Sequence, residues 1–566
     1  MWRESVRYVR PTARDVFVTF RGAEIEVPAG TTIAEFLKRY GEAGAEKPLG
    51  ALLNNRLVGL DCQLLGQTDL KLVTYRSREG AAIYRRSVAL LLFEAARDLY
   101  PKARVVIGQS ISEGYYFDLL GIGTPVDEAV VASLEKRMAE IVAEDRPIVH
   151  EATGIEEVVE SFRREGDTDK LELLATWRSP FVHVVKCGRF RDIAHGPFAP
   201  STGCLGGFDL IPHPPGLVLR FPDVASPETR RPFIPQPKLF QIYRETREWN
   251  EILGVKNVGS LNRHCLDGSI SEIIKVAEGF HEKKIAKIAD EIVLRRPTVQ
   301  IVLIAGPSAS GKTTFAKRLS IQLLVVGIRP VALSLDNYYI DRERTPRDEA
   351  GKPDFEALEA LDLDLFNRQL VELLAGKEVR TPVFDFQTGT RRPERDWVPM
   401  RLEHGQVLLI EGIHGLNDRL TAAVPAERKY KIYVSALTQL AIDDHNRIFT
   451  SDSRLLRRIV RDRMFRGFTA ARTISMWPSV RRGEERHIFP FQENADVMFN
   501  SALVYEPALL KPFAERFLLE VPPQDPAFTE AYRLLRFLGM FVTVFRDEVP
   551  QTSILREFIG GSSFQY

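Results

Sequence analysis

The sequence predicts a multidomain chain, α+β in its first half and α/β with a parallel sheet in its second. Three observations predict it. The 566 residues exceed what one hydrophobic core organises and correspond to about four domains of ordinary size. Residues 15–75 alternate short apolar bursts with one helix-like stretch. From Val299 to Phe315, VQIVLIAGPSASGKTTF, an apolar β-type run feeds a glycine-bearing loop and then a helical segment. Lys plus Arg (77) nearly cancels Asp plus Glu (76), so attraction to nucleic acid or a membrane must come from a local patch. The sparse cysteines, Cys62, Cys187, Cys204 and Cys265, fit a reducing compartment better than a disulfide framework. The opening MWRESVRYVR lacks the apolar core of a secretion signal and no apolar run approaches bilayer-spanning length, so a cytoplasmic location is expected.

The first elements are VFVTF, EIEVPAG, the helix TTIAEFLKRYG, ALLNNRLVGL and LKLVTY. Thr31 or Thr32 can cap the helix, and Asn54-Asn55 suits a hairpin turn. This order resembles the TGS domain, a small ubiquitin-like β-grasp module also found in threonyl-tRNA synthetases, and it is assigned to residues 1–78. Nothing in it is of catalytic type, so a docking role is expected.

Residues 79–235 resemble the second additional, or editing, domain of threonyl-tRNA synthetase, an α+β unit. YRRSVALLLFEAARDLYPKARVVIGQSISEGYYFDL, from Tyr84, carries the likeness of its opening helix and strand pair, and RDIAHGPFAPSTG, from Arg191, that of its later signature. The family's metal quartet is two histidines four apart and then a cysteine and a histidine four apart. Arg86, Leu90, Ala194 and Phe198 stand in those places, and arginine and leucine offer no zinc donor. Editing hydrolysis and a metal are therefore not expected there. His183, Cys187, His195 and Cys204 could in principle supply two nitrogens and two sulfurs, but their spacing matches no compact zinc motif, and buried cysteines with satisfied histidines are the simpler reading. The old pocket can survive as a small-molecule or RNA-end groove without chemistry.

Proline-rich residues 212–237 mark a boundary. A helical connector, 236–296, follows, with LFQIYRETREWNEILGV and SISEIIKVAEGFHEKKIAKIADEIVLRR as its two helices. Ile270, Ile273, Ile274, Val276 and Ala277 make one apolar face, and Ile285, Ile288 and Ala289 continue it. His264 and His281 sit among charges and read as solvated or capping.

A P-loop NTPase-type α/β domain is expected over 297–545, with a tail at 546–566. Gly306, four residues, Gly311, Lys312, Thr313 is the phosphate-loop spacing. Glycines let successive N–H groups converge, and the helix that follows adds the positive end of its dipole. Gly306, Pro307, Ser308, Ala309, Ser310, Gly311, Lys312, Thr313 and Thr314 are the expected contacts to ATP, with Lys312 on the β and γ phosphates and Thr313 on Mg²⁺. A second strand, Val331–Leu335, ends at Asp336. That carboxylate can deprotonate an attacking hydroxyl, cap a turn or hold a Mg²⁺-bound water; Tyr339 stands near it. A third strand, Val407–Ile410, ends at Glu411, expected near the metal, with His414 as a substrate contact or a structural histidine. Tyr430–Val434 suits a fourth strand.

Ten arginines crowd residues 454–486, and Arg454, Arg457, Arg458 and Arg461 recur at helical spacing. Planar guanidinium forks suit phosphate oxygens, so a lid that closes over a phosphoryl group is favoured over an RNA-binding stripe, which would interleave aromatics. LIAGPSASGKTT, LSLDNYY, GKEVRTPVFDF, LLIEGIHGL and SRLLRRIVRDRMFRG, in that order over about residues 298–515, resemble the uridine kinase and phosphoribulokinase family, nearest the uridine kinases. The resemblance implies Asp336 as base for a sugar hydroxyl, Lys312, Arg454 and Arg461 around the transferring group, Arg458 and Arg466 on the nucleotide, and Glu359, in place of a ribose-binding aspartate, on substrate. Phe384 replaces a usual tyrosine and Gly389 a base-reading histidine, which removes two polar contacts to a uracil base. DDHNRIF (443–449) and IFPFQENADVMFNSALVYE (488–506) read as packing under the lid, and FTEAYRLLRFLGMFVTV as an amphipathic helix running into a strand, for the core or an oligomer contact. The expected activity is ATP- and Mg²⁺-dependent phosphoryl transfer to a hydroxyl of a nucleoside or related sugar-bearing small molecule. The alternative is an NTP-driven protein that grips tRNA-like RNA through its front half.

Overall fold

The computed structural model describes residues 14–41, 46–348, 351, 353–385 and 388–565; the opening run MWRESVRYVR, and Phe386 and Gln387 of PVFDFQTGTR, lie outside the described residues. At the front, Asp15–Phe20 pairs antiparallel with Ala23–Pro28 and parallel with Thr68–Val73, and Gly50–Leu53 and Arg56–Val58 complete the sheet. Period-two alternation puts Val16, Val18 and Phe20 on the face that receives Ile33 and Phe36 of helix Ile33–Tyr40. Thr32 caps that helix in a reciprocal box with Glu35. Asn54 and Asn55, at φ 47° and 60°, make the left-handed pair that a two-residue hairpin requires.

Helix Arg78–Leu99 packs on an antiparallel sheet ordered Asp209–His213, Gly216–Arg220, Gly114–Leu120, Arg104–Ile111. A second sheet joins Phe190–Ile193, Phe181–Cys187 and Ile148–Gly154. The connector holds three helices, Pro237–Leu253, Val258–Asp267 and Ile270–Leu294; Asn257 and Ser260 build a capping box that starts the unexpected middle one. On the last helix the buried stripe runs through Ile274, Ala277, His281, Ile285 and Ile288. His281 is therefore not solvated but 2% exposed, its ring 5.1 Å from Phe499, and burial pushes its imidazole down to about 3. Val276 falls off the stripe and is exposed.

The C-terminal part is built on a parallel sheet ordered Pro330–Ser334, Val407–Glu411, Ile301–Ala305, Lys429–Ser435, Val497–Asn500. Burial on both faces accounts for the near-continuous apolar runs of the central strands Val407–Glu411 and Ile301–Ala305, whereas the edge strand Pro330–Ser334 is partly exposed. The stretch Asp443–Phe449 does not pack under a lid. Its hairpin, Ala441–Asp443 with Asn446–Arg447, docks into the front half: His195 Nε2 lies 3.0 Å from Asp443, His445 Nδ1 2.6 Å from Asp192, and the Asp444 N–H donates to Asp169 at 2.8 Å. Lys170, 1% exposed, stands among these acids, 3.5 Å from Asp192. Burial works to raise Asp192 and Asp443, yet Lys170 and the two histidines hold both below the usual carboxylate range. After helix Phe528–Leu538 there is no strand: the Val542 and Val544 N–H groups donate to Asn262 Oδ1 and the Ala508 carbonyl, which satisfies an irregular backbone. No helix among the described residues is long and apolar enough to cross a membrane.

Candidate active site

Ile301–Ala305 is fully buried, which fixes where its carboxyl end delivers the loop. A Cβ at Gly306 would stand 1.9 Å from the Val434 carbonyl oxygen, so the loop leaves the strand only with glycine there; Gly311, at φ 84°, turns the chain into helix Lys312–Val325. Side chains from behind hold the loop's outer edge. Arg454 Nε donates to the Ser308 carbonyl at 2.9 Å, Arg458 Nη1 to Ser308 Oγ at 2.9 Å, and Arg457 Nη1 to the Ala309 carbonyl at 3.3 Å. Arg454 and Arg457 are wholly buried because each has a carboxylate: Arg454 pairs with Glu484, and Arg457 Nη2 donates to Glu506 Oε2 at 2.6 Å. Glu484 also accepts from the Ser308 N–H at 3.1 Å.

Parallel pairing sets Ile304 level with Glu411 and Glu411 level with Ser334, so three strand ends finish together. Thr313 Oγ1 donates to Glu411 Oε1 at 2.9 Å, and Lys312 Nζ to the Pro307 carbonyl at 3.2 Å. Asp336 follows Ser334 in a short 3₁₀ turn and its side chain reaches solvent, yet the crowded cleft desolvates it and raises its carboxyl above the usual range, against the pull of Lys312 and Arg466. Glu411 is raised in the same way, with Lys312 and Thr313 opposing burial and Asp336 reinforcing it. Arg458, Arg461 and Arg466 gather round Asp462 at 3.3, 2.9 and 3.7 Å. The hard oxygens of Thr313 and Glu411 suit Mg²⁺, and Lys312 with the loop N–H groups suits phosphate.

Of the remaining expected substrate residues, Tyr339 and Phe384 are in contact, while Glu359 and His414 have other partners. The Phe384 ring lies 5.7 Å from that of Tyr339, and the Phe384 N–H donates to Asn337 Oδ1 at 3.4 Å. Glu359 is exposed and accepts from Arg419 at 2.8 Å. His414 is 2% exposed, and burial with neighbouring His487 pushes it down to about 4. Gly389 takes φ 74°, and a Cβ there would stand 2.6 Å from Arg342 Nε, so the guanidinium occupies the space a side chain would need.

Four carboxylates at the site carry no sequence motif. Glu484 and Glu506 are the partners of the buried arginines. Glu356 is pushed up to about 7 by burial and Glu484, against Arg458 and Lys312. Glu557, from the last short helix, accepts from Thr314 Oγ1 at 2.6 Å and from the Thr314 N–H at 3.3 Å, an anion on the phosphate loop's own helix start. The only trace of them in the sequence is helical spacing, as between Arg481 and Glu484, 3.2 Å apart.

In the front half, Arg86, Leu90, Ala194 and Phe198 do come together around one spot: the last three are buried, and the Arg86 guanidinium lies 5.7 Å over Phe198 and donates to the Pro197 carbonyl at 2.7 Å. Cys187 faces Glu94, Cys204 lies 3.7 Å from Ser201 Oγ, and His195 is held by Asp443. Among the described residues no group of three or more His, Cys, Asp or Glu converges as a metal site.

A parallel-sheet domain with a phosphate loop at one strand end defines a P-loop nucleotide-binding fold. Residues 301–505 match the model of the phosphoribulokinase / uridine kinase family, and the C-terminal part of the chain is of that family. The N-terminal region is homologous to threonine–tRNA ligases: that of Desulforamulus reducens is 33% identical over 193 residues, 34% of this chain and 30% of the relative, and that of Rubrobacter xylanophilus 34% identical over 189 residues, 33% and 29% respectively. The chain thus spans about 30% of the length of the curated relatives it matches. A D-glycerate 3-kinase from Cryptococcus neoformans aligns over 45% of this chain and 87% of its own, at 13% identity and a TM-score of 0.22.

Proposed function

We propose that the chain transfers the γ-phosphoryl group of ATP to a hydroxyl of a nucleoside or related sugar-bearing small molecule. The observation that carries this is the meeting of Lys312, the Thr313–Glu411 pair and Asp336 at the level ends of adjacent parallel strands. Lys312 and the loop N–H groups bind and orient the phosphates. Thr313 and Glu411 would hold Mg²⁺, which when bound neutralises charge on the transferring group. Asp336, whose carboxyl burial raises above the usual range, takes the proton of the acceptor hydroxyl. Arg458, Arg461 and Arg466 line the same side, while Arg454 positions the loop through Ser308. Tyr339, Phe384, Glu359 and His414 bound the acceptor. The loss of polar groups at 384 and 389 argues against a site tuned to uracil.

The reading includes domains at 1–78, 79–235, 236–296 and 297–545 with a tail at 546–566. It includes a cytoplasmic location, supported by the four unpaired cysteines. Mass spectrometry of products from ATP and a panel of nucleosides and sugar phosphates tests it. A phosphorylated acceptor formed with stoichiometric ADP is expected. No acceptor-dependent ADP, together with tight and steeply salt-dependent retention of bulk tRNA, would favour an RNA-gripping protein instead.

A further inference from the structure

A cavity of about 1770 Å³ lies between the front half and the kinase-like part, well above the 300–1,000 Å³ usual for small-ligand pockets. Its walls are helix Arg78–Leu99, the segment Asp192–Phe198, the docked hairpin, helix Ala470–His487 and helix Phe528–Leu538. Three arginines face it without an ion pair to any carboxylate among the described residues. Arg85 lies over Phe221, Arg86 over Phe198, and Arg447 over Tyr115 and Phe449 while donating to Ser110 Oγ. The Nε atoms of Arg85 and Arg447 are buried without a hydrogen-bond partner. Guanidiniums left like this cost free energy unless an anion completes them. Burial, helped by Arg533 and Arg536, pushes Arg86 down to about 10, and burial likewise lowers Arg447.

The cavity is connected to the phosphate loop through helix Ala470–His487. Trp477 lines the cavity, and on its other side Arg454 lies 5.3 Å from the indole and holds the Ser308 carbonyl. Arg481, on the cavity wall, reaches Glu484, which accepts from the Ser308 N–H. A ligand that moves helix Ala470–His487 therefore moves Glu484, which accepts from the Ser308 N–H, and Trp477, against which Arg454 packs.

We propose that this cavity binds a free nucleotide as an effector, with its phosphates on Arg85, Arg86 and Arg447 and its base against the aromatic walls, and that occupancy alters nucleotide handling at the phosphate loop. Arginine forks match phosphate oxygens bidentately, and aromatic faces take any base. The effect on turnover rests on the kinase reading; the binding does not.

Calorimetry on the full chain carrying Lys312→Ala, which weakens the phosphate loop, isolates the second site. With a panel of free mono-, di- and triphosphates of the four bases, one saturable site per chain is expected. Adding Arg86→Gln, or separately Arg447→Gln, should weaken it by about tenfold or more, the loss of one charge-assisted contact. Circular dichroism and thermal melting establish that each variant is folded; Arg447→Lys, which keeps the charge but loses the fork, should fall between. In the chain with Lys312 intact, the bound nucleotide should shift the KM for ATP at least about threefold, and Arg447→Gln should move that shift to about tenfold higher effector concentration, in step with its weaker binding. The absence of saturable binding up to about 1 mM, affinity indifferent to both arginine variants, or binding of an RNA 3′ end but of no free nucleotide would each overturn the proposal. A chain that binds the effector and phosphorylates no acceptor would overturn the kinase reading alone.

Discussion

Glu557→Gln should tighten ATP binding. The Glu557 carboxylate sits on both the hydroxyl and the N–H of Thr314, at 2.6 and 3.3 Å, and the tail is seated there by Ile554, whose Cγ2 would lie 2.5 Å from a Cβ at Gly311. Phosphate bound by this loop must take over the N–H that the carboxylate now uses and must tolerate its negative charge. Hydrogen bonds to a charged group contribute roughly 1.5–3 kcal/mol and neutral ones about 1. Glutamine keeps the size and one weak acceptor, so the substitution removes about 1–2 kcal/mol of competition, or about five- to thirtyfold in Kd. Isothermal titration of the full chain with ATP measures it directly. Thr314→Val removes the hydroxyl anchor of Glu557 and should also loosen the tail, read as faster proteolysis after residue 545. Unchanged or weaker ATP affinity in Glu557→Gln would mean that the carboxylate does not stand in a phosphate's place.

Other substitutions test the supports of the site. Lys170→Met leaves Asp192 and Asp443 buried beside each other without their shared cation, and removing one partner of a buried pair costs about 3–5 kcal/mol. Limited proteolysis should then cut the hairpin at 441–447, and unaltered resistance would contradict the docking role. Gly389→His places a side chain at φ 74° against Arg342, so it should lower the urea midpoint by the equivalent of about 1–2 kcal/mol and confer no uridine phosphorylation; Gly389→His with Arg342→Ala should recover part of that stability. His281, at about 3, and His414, at about 4, lie below the 6.5 of a free imidazole. Above that value both histidines are neutral in either state and their contribution is intact. Below it the unfolded chain takes up protons the folded chain refuses, so stability falls by up to about 1.4 kcal/mol per pH unit for each histidine. Urea midpoints at pH 7 and pH 5 should show that fall, and His281→Gln should make it shallower; identical slopes would contradict it.

The phosphate loop was legible because its chemistry is local: the glycine spacing, the strand before it and the helix after it all lie within Val299–Phe315. The strand ends at Asp336 and Glu411 were legible for the same reason, each being an acid at the close of an apolar run. What surrounds them was not. Glu484, Glu506 and Glu557 reach the loop from segments whose only pattern is helical spacing, and no periodicity says which distant carboxylate a buried arginine will choose. The arginine stripe shows this well, since 454 and 457 turn inward onto acids while 461 and 466 meet at Asp462. Asp443–His445 misled because a charged run with an aromatic neighbour is ordinary loop composition, and its meaning lies in Lys170, more than 270 residues away. His281 sat among Lys and Glu in sequence but on the buried stripe in space.

Whether Asp336 takes the acceptor's proton decides the chemistry assigned to the C-terminal part. Single-turnover transfer from ATP to the acceptor found in the product screen, measured for the unaltered chain and for Asp336→Asn alongside ATP affinity, tests it. Transfer is expected to fall by at least about 10², the range of a general base, with ATP affinity held within about threefold. Undiminished transfer in Asp336→Asn would contradict it.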